Sequence, residues 1–396
     1  MKTDEPFMKI ALDLAATCKG KTSPNPVVGA VLVKEGQIVG TGVHRKAGEP
    51  HAEVHAFRMA GEHAKDATLY VTLEPCSHYG KTPPCAELIC GSGVRRVVAA
   101  MEDPNPLVAG RGFQILRRHG IEVEVGVMKA EAERLNERFV LNMTQRRPFI
   151  ISKVAMTLDG KLAAQTGHSQ WITGEQARCE VHRLRSEVDA ILVGIGTVLA
   201  DNPRLTARLP DNRKHPVRVI LDSHLRLPVS AHVADCTEAK TWVAAKEGAD
   251  SAKAHELRQR GIEILFVPEG RDGLDLRALA DLLYEKGITD LLVEGGSEIN
   301  GSLLRAGLID KWVIYIAPKL LGGRNSLTPF GGADVEKMDD ALDVHIHSIR
   351  KAGDDLCITA YPANRSSRHE AVCHDSGDFA GMNAMERIFH DPIMQR

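Results

Sequence analysis

Apolar and polar positions in the first 145 residues follow two alternating periods. Short apolar runs bounded by turn residues are typical of strands, and apolar residues three and four positions apart are typical of helices. The strands predicted in this part are 27–33, 37–40, 69–73, 94–100 and 121–125. The predicted helices are 8–19, 51–59, 85–89, one that begins at 112, and 130–142. Because strands and helices alternate, we predict an α/β layer.

The run Gln145-Arg146-Arg147-Pro148 interrupts the last helical period, and a second series of elements follows it. Thr173 and Gln176 could form a capping box at the start of a helix that extends to Val188. The predicted strands are 149–155, 189–193, 217–221, 242–245, 263–267, 290–293 and 312–316, and the other predicted helices are 251–260, 274–286 and 298–306. We therefore expect a second α/β domain with a mostly parallel sheet.

These patterns divide the 396 residues into two domains and a tail. Residues 1–147 form the first domain and residues 148–362 form the second, and both are of ordinary domain size. Residues 363–396 carry polar and charged side chains without an apolar period, so we expect a tail that is disordered or loosely attached.

Composition narrows the class of protein. The net charge of −2 and an aromatic content of 4% give little reason to expect nucleic acid or an anionic membrane as a partner. The sequence has no apolar run near the length of a membrane span and begins without the apolar core of a signal peptide, so we expect a cytoplasmic protein. In that compartment, eight cysteines argue against a disulfide framework and leave room for metal binding.

The stretch from His51 to Cys85 contains the first chemical signal. It begins with His51-Ala52-Glu53 and ends with Pro75-Cys76 and then Cys85. One imidazole and two thiolates are good zinc ligands, and three ligands leave the fourth tetrahedral position open for a water. Glu53 is placed to move the protons of that water, which is the pattern of zinc-dependent deaminases. In the alternative, His78 or His55 would be a fourth ligand of a closed, structural zinc site.

The spacing of the two cysteines departs from the general deaminase signature, because eight residues separate them here instead of two. The insert Ser-His-Tyr-Gly-Lys-Thr-Pro-Pro, together with the segments 25–29 and 103–106, resembles the deaminase of riboflavin biosynthesis, whose domain is cytidine-deaminase-like. The resemblance implies that Asn25, Lys81 and Asn105 contact a pyrimidine that bears a phosphoribosylamino group. Otherwise Asn105 is a turn residue between two prolines and Lys81 a solvated lysine.

The second half of the chain carries a different signal. A predicted strand ends in Glu294-Gly295-Gly296 and leads into a helix, an arrangement that lets phosphate approach backbone N–H groups. Together with the segments 153–160 and 194–208, this motif resembles the reductase of the same pathway, whose fold is like dihydrofolate reductase. The two halves side by side, over about residues 8–361, resemble the bifunctional riboflavin-biosynthesis deaminase–reductases of bacteria.

This second resemblance implies a binding site for NADPH and one for the deaminated pyrimidine. The residues implied for NADPH are Ala155, Trp171, Thr197, Asp201, Ser223, Gly296, Ser297, Glu298, Ile299, Asn300, Gly301 and Ser302. The residues implied for the substrate are Ser169, Arg185, Leu205, Arg208 and Glu294. Arg185 and Arg208 suit a phosphate clamp, because a guanidinium makes paired charge-assisted bonds, and the alternative is that they form surface salt bridges. Lys153, Asp201 and Glu294 are the candidates for the proton donor of the reductase.

We therefore predict a zinc hydrolase and an NADPH-dependent oxidoreductase on one chain, acting in turn on a small phosphoribosylated pyrimidine. Neither nucleic acid nor membrane is an expected partner, and we expect a homo-oligomer whose size the sequence does not define. One rival hypothesis is an adenosine or cytidine deaminase of nucleic acid, which predicts a basic face with exposed aromatic residues. The other is a zinc-stabilised binding protein with degenerate sites, which predicts a closed four-ligand zinc.

Overall fold

The structure is a computed structural model that describes residues 4–79, 84–106, 108–210, 214–271 and 273–363. The expected tail falls almost entirely outside these residues, since only Ala363 of it is described. The predicted substrate residue Lys81 also lies outside them.

The N-terminal part is a sheet with helices on both faces, as the alternating pattern predicted. Its strands are β1 (Gly29–Lys34), β2 (Gln37–Val43), β3 (Thr68–Val71), β4 (Arg96–Ala99) and β5 (Glu122–Val125). Its helices are α1 (Glu5–Ala16), α2 (Ala52–Ala60), α3 (Cys85–Gly91), α4 (Arg111–Arg118), α5 (Lys129–Leu135) and α6 (Glu137–Gln145). The strand order is β2-β1-β3-β4-β5, in which β1 runs antiparallel to both neighbours and β3, β4 and β5 are parallel.

Strand β1 lies inside the sheet, between β2 and β3, and is buried on both faces. Side chains alternate across a strand, so Ala30 and Leu32 join the core beneath α2, α3 and α4. Val31 and Val33 point the other way, into the core beneath α1 and α5. The continuous apolar run is therefore explained by helices on both sides of the sheet.

The single helix predicted over 130–142 is wrong, because α5 ends at Leu135 and α6 begins at Glu137. The break lies at Asn136, which is buried. Its side-chain amide donates to the Val27 carbonyl at 3.0 Å and accepts from the Val27 N–H at 2.9 Å. A long-range contact therefore interrupts the helix, and an apolar period along the sequence does not reveal it.

The C-terminal part contains the second α/β sheet. Its strands are β6 (Phe149–Thr157), β7 (Ala190–Gly194), β8 (Val217–Leu221), β9 (Thr241–Lys246), β10 (Glu263–Val267), β11 (Glu269–Gly270), β12 (Gly273–Leu274), β13 (Asp290–Val293), β14 (Lys311–Ala317), β15 (Val344–Ala352) and β16 (Asp355–Pro362). Its helices are α7 (Glu175–Glu187), α8 (Ile195–Asp201), α9 (Ser251–Gln259), α10 (Leu276–Glu285) and α11 (Ser297–Arg305). In the described residues the main sheet has the order β10-β9-β8-β7-β13-β6-β14-β16-β15.

This sheet is mostly parallel, as predicted, and only β16 pairs antiparallel with its neighbours. Strands β15 and β16 were not predicted, and most side chains of β15 are exposed. The capping box at Thr173 is wrong: α7 begins one residue later, with Gly174 as its N-cap. The backbone N–H of Gly174 instead donates to the carboxylate of Asp355 at 2.7 Å.

Buried polar contacts join α6 to the C-terminal sheet. Arg138 donates to the carboxylate of Asp290 at 2.9 Å, and Glu137 accepts from Lys311 at 2.8 Å and from Tyr361 at 2.7 Å. These contacts hold the last helix of the N-terminal part against the start of β13 and the neighbouring strands. No helix in the described part of the chain has the length and apolar content that a membrane crossing requires.

Candidate functional site

The three predicted metal ligands come from three separate elements of the N-terminal part. His51 is the N-cap of α2, Cys85 is the first residue of α3, and Cys76 lies in the loop after β3. The two helix starts and the loop meet at one point, so residues far apart in the sequence face each other.

The geometry of this cluster fits a tetrahedral zinc. The Nδ1 atom of His51 lies 3.5 Å from Sγ of Cys76 and 3.3 Å from Sγ of Cys85. Ligand atoms about 2.0 to 2.3 Å from a tetrahedral zinc lie roughly 3.5 Å from each other. The three ligand atoms all lie within 4.8 Å of one another. The donor set of one imidazole and two thiols is therefore one that zinc would accept.

The two thiols of the cluster interact directly with each other. The hydrogen bond between the two thiols lowers the pKa of Cys76 and raises that of Cys85, because one sulfur holds the proton and the other carries the charge. A bound cation would take the place of that shared proton. Among the described residues, the cluster holds His51, Cys76 and Cys85 without His55 or His78, so the closed four-ligand alternative gains no support.

Glu53 lies in the first turn of α2 and is only 3% exposed. Burial raises the pKa of its carboxyl group, which brings it toward the range where a carboxyl can both accept and release a proton. Its side chain interacts with the Cys85 thiol, which places it at the metal cluster. A buried carboxyl beside an open ligand position can serve as a general acid and base.

Two of the three predicted deaminase substrate residues lie in the described part of the chain, and Asn25 is connected to this cluster through His44. Asn25 contacts Nε2 of His44 at 3.1 Å, and the His44 ring packs edge-on against His51 with centroids 5.4 Å apart. Asn105 is partly buried in the loop after β4, and its N–H donates to Asp103 at 2.9 Å. Sequence reasoning missed His44, because a lone histidine without metal-ligand spacing carries no signal.

A cavity of about 1210 Å³ opens at the carboxyl ends of β7, β8 and β13. This volume exceeds that of a typical small-molecule pocket and suits a dinucleotide together with a substrate. Most of the residues implied for the cofactor and substrate line it. They are Ala155, Ser169, Trp171, Arg185, Thr197, Asp201, Leu205, Arg208, Ser223, Glu294, Gly296, Ser297, Glu298, Ile299, Asn300 and Ser302.

Gly301 is the predicted cofactor residue that does not line the cavity. It is buried, and a Cβ atom at this position would lie 1.9 Å from the backbone oxygen of Gly331. The absence of a side chain at Gly301 therefore allows α11 to pack closely against the backbone of Gly331. Gly296, in contrast, borders the cavity as the N-cap of α11, and a Cβ there would meet nothing within 4 Å. The N–H groups of the first turn of α11 thus face a space open to a phosphate.

A buried ionic network lies at the cavity wall. Glu294 accepts from Nε of Arg185 at 2.6 Å through Oε1 and from a terminal nitrogen of Arg185 at 2.9 Å through Oε2. Nζ of Lys153 also lies 2.9 Å from Oε2. Burial alone would raise the pKa of Glu294, but the charges of Arg185 and Lys153 outweigh it and hold the pKa well below its usual range. Arg185 therefore lines the cavity as expected, with its guanidinium fork directed at Glu294.

His182 is a further cavity residue that sequence reasoning did not single out. Its Nδ1 atom accepts the backbone N–H of Arg208 at 3.2 Å. Burial, together with the charges of Arg185 and Arg208, lowers its pKa to about 4, so the ring is neutral near pH 7. The spacing of His182 and Arg185 on one face of α7 could have suggested that both reach the same pocket.

Comparison with known families assigns both halves of the chain. Residues 1–101 match the model of the cytidine and deoxycytidylate deaminase zinc-binding region. Residues 148–358, more than half of the chain, match the model of the RibD C-terminal domain.

Whole-chain relatives give the same result. The chain is 48% identical over 355 residues to the riboflavin biosynthesis protein RibD of Aquifex aeolicus (strain VF5), which covers 90% of this chain and 97% of the relative. It is 46% identical over 369 residues to the protein of that name from Escherichia coli (strain K12), with 90% and 98% covered.

Solved structures agree with the sequence relatives. Acinetobacter baumannii RibD, form 1, is 40% identical with a TM-score of 0.81, and the match covers 92% of this chain and 99% of that one. A diaminohydroxyphosphoribosylaminopyrimidine deaminase/5-amino-6-(5-phosphoribosylamino)uracil reductase from Thermotoga maritima is 37% identical with a TM-score of 0.79, covering 91% and 99%.

Proposed function

The chain belongs to the family of the riboflavin biosynthesis protein RibD, and from this we propose how its own residues divide the work of the family's two reactions. It is a bifunctional enzyme of riboflavin biosynthesis, with a zinc-dependent deaminase and an NADPH-dependent reductase that act on a small molecule. The predicted deaminase and reductase activities are confirmed, and so are the predicted cofactors zinc and NADPH.

For the deaminase we propose 2,5-diamino-6-(5-phosphoribosylamino)pyrimidin-4-one as substrate, held by Asn25, Lys81 and Asn105. His51, Cys76 and Cys85 would hold zinc, since their ligand atoms are at suitable separations. When bound, zinc lowers the pKa of a coordinated water and so supplies a nucleophile near neutral pH.

Glu53 would move the protons of this reaction. Its buried carboxyl first accepts a proton from the attacking water and then delivers it to the ring nitrogen. The same carboxyl then takes the second proton from the hydroxyl group added to the ring carbon and passes it to the amino group, which leaves as ammonia. Burial raises the pKa of Glu53, which suits a carboxyl group that alternately accepts and releases a proton. This cluster beside a buried carboxyl is the observation that carries the deaminase assignment.

For the reductase we propose that the cavity at β7, β8 and β13 holds the deaminated product and the cofactor together. NADPH, when bound, supplies a hydride, which C1′ of the ribosyl group accepts as its bond to the ring oxygen breaks. Arg208 would bind the substrate phosphate, because the fork of Arg185 is already directed at Glu294. Glu294 would fix the position of Lys153.

Opening of the sugar requires a proton at the former ring oxygen, and we propose Lys153 as its source. Glu294 is a poor proton donor because its pKa is held low, so that it stays ionised near neutral pH. Lys153 lines the cavity and lies 2.9 Å from Glu294. Asp201, whose pKa is raised by burial, is the alternative donor at the cavity wall.

We also propose that residues 1–147 carry the deaminase and residues 148–362 the reductase. The change of sheet falls between α6 and β6, which supports this division. A cytoplasmic homo-oligomer that contacts neither nucleic acid nor membrane completes the proposal.

One assay tests the assignment of both sites. The phosphoribosylamino-pyrimidine is supplied with NADPH, and ammonia and NADPH absorbance are followed in one cuvette. We expect ammonia release to precede NADPH oxidation and to continue when NADPH is omitted. NADPH oxidation without prior ammonia release would refute the proposed order of the two reactions.

A further inference from the structure

Glu74 follows β3 and is buried, with 4% of its surface exposed. Its carboxylate accepts three hydrogen bonds from backbone N–H groups. One oxygen accepts from Asp103 at 3.1 Å and from Gly110 at 2.9 Å, and the other accepts from Gly112 at 2.8 Å. All three donors belong to the segment 103–112, which runs from the loop after β4 into the first turn of α4.

This segment is also packed tightly against the chain that leads to the metal cluster. A Cβ atom at Gly112 would lie 2.2 Å from the backbone oxygen of Pro75, so the first turn of α4 rests directly on the peptide before Cys76. On the other side, the N–H of Glu74 donates to the carbonyl of Met101 at 3.0 Å. Residues 74 and 75, which follow β3, therefore contact the chain after β4 at several positions between Met101 and Gly112.

The segment held by Glu74 carries Asn105. The carboxylate of Asp103 accepts the backbone N–H of Asn105 at 2.9 Å. The Asn105 carbonyl in turn accepts from Val108 at 2.8 Å and from Ala109 at 2.9 Å. The backbone of Asn105 is thus fixed relative to Asp103, whose own N–H is bound to Glu74.

We propose that Glu74 is a positioning residue of the deaminase, which sets where Asn105 lies relative to Cys76. This inference rests on the proposed role of Asn105 in substrate binding. A carboxylate suits the position because it offers acceptors on both oxygens. A glutamine would turn an amide N–H₂ toward at least one of the backbone N–H groups, which would push the segment away.

The test is the variant Glu74→Gln in the full zinc-loaded enzyme. We expect the KM of the deaminase to rise about tenfold or more, since a misplacement of about 1 Å can cost up to roughly 100-fold. The zinc content, the kcat of ammonia release and the rate of NADPH oxidation with deaminated substrate should stay close to those of the wild type. Glu102→Gln makes the same chemical change at an exposed position of the same connection and should leave the KM unchanged.

Asn105→Ala, alone and combined with Glu74→Gln, separates this inference from the proposed substrate contact. If Glu74 acts through Asn105, Glu74→Gln should have little further effect on KM in the Asn105→Ala background. A raised KM for Asn105→Ala with a wild-type KM for Glu74→Gln would overturn the inference alone. A wild-type KM for Asn105→Ala would overturn the proposed substrate contact, and the role of Glu74 with it.

Asp103 provides a second route if Glu74→Gln fails to fold or to retain zinc. Asp103→Asn keeps a carbonyl oxygen for the Asn105 N–H, whereas Asp103→Ala removes the acceptor. We expect a raised KM for Asp103→Ala and a KM near the wild-type value for Asp103→Asn, with zinc retained in both. Equal KM values for the wild type and Asp103→Ala would overturn the inference.

Discussion

The network of Glu294, Arg185 and Lys153 allows a quantitative prediction for the variant Glu294→Gln. The three contacts are 2.6 to 2.9 Å long, and the three side chains are only 8–15% exposed. Removing one partner of a buried ion pair costs about 3 to 5 kcal/mol, because the other charge stays buried without compensation. The introduced glutamine would still offer one acceptor oxygen, so we expect the lower value, about 3 kcal/mol.

The three tryptophans of the chain supply the assay. Trp171, Trp242 and Trp312 all lie in the C-terminal part, so their fluorescence reports the unfolding of that part within the intact protein. A loss of about 3 kcal/mol should lower the unfolding temperature by roughly 6 to 12 °C for a domain of this size. Glu263→Gln is the matched control, since it breaks a surface pair with Lys286 and should cost less than about 1 kcal/mol.

The effect of Glu294→Gln should depend on pH in a defined direction. The pKa of Glu294 is lowered in the folded state, so its contribution is fully present above the ordinary value of 4.5 and is lost as pH falls toward the lowered value. The difference in stability between the variant and the wild type should therefore begin to shrink as pH falls below about 4.5. The variant should also affect the two activities differently: NADPH oxidation should be impaired, whereas ammonia release should be retained. An unfolding temperature equal to that of the control, with normal NADPH oxidation, would refute the role of this network.

Three further predictions concern the two sites. Glu53→Gln should abolish ammonia release. Bound zinc, measured by elemental analysis, and NADPH oxidation with deaminated substrate should both be retained. Full deaminase activity in this variant would contradict the role of Glu53. Removal of zinc with a chelator should stop ammonia release alone, and added zinc should restore it. His182→Gln should reduce the loss of fluorescence-detected stability between pH 6.5 and about 4, because the folded state disfavours protonation of His182. An unchanged pH profile would contradict this.

The metal cluster could be predicted from the sequence because its signal is local. His51 and Glu53 are two residues apart at a helix start, and Cys76 and Cys85 follow at a spacing that a short loop can bridge. Ligand chemistry then limits the side chains to those that bind zinc, and the spacing of Glu53 favours an open site. The alternation of strands and helices likewise follows from local apolar periods, which explains why both α/β parts were recognised.

Contacts between distant segments could not be predicted in this way. Asn136 breaks a regular apolar period because it bonds to Val27, and no property of either residue alone signals the pairing. The same holds for Asp355, which takes the place expected for a capping box at the start of α7. In both cases the fold brings a distant side chain close to the segment. Its hydrogen bond overrides the local preference, which is a continuous helix in the first case and a capping box in the second.

The same reasoning explains why sequence motifs identified the reacting groups more completely than the groups that hold them in place. Glu53 and the zinc ligands must be particular residue types, so they form a pattern that can be read along the chain. Glu74 satisfies backbone N–H groups, which every non-proline residue offers, so its partners Gly110 and Gly112 carry no matching side chain. A positioning role of this kind becomes visible only when the fold brings the donors together around one buried carboxylate.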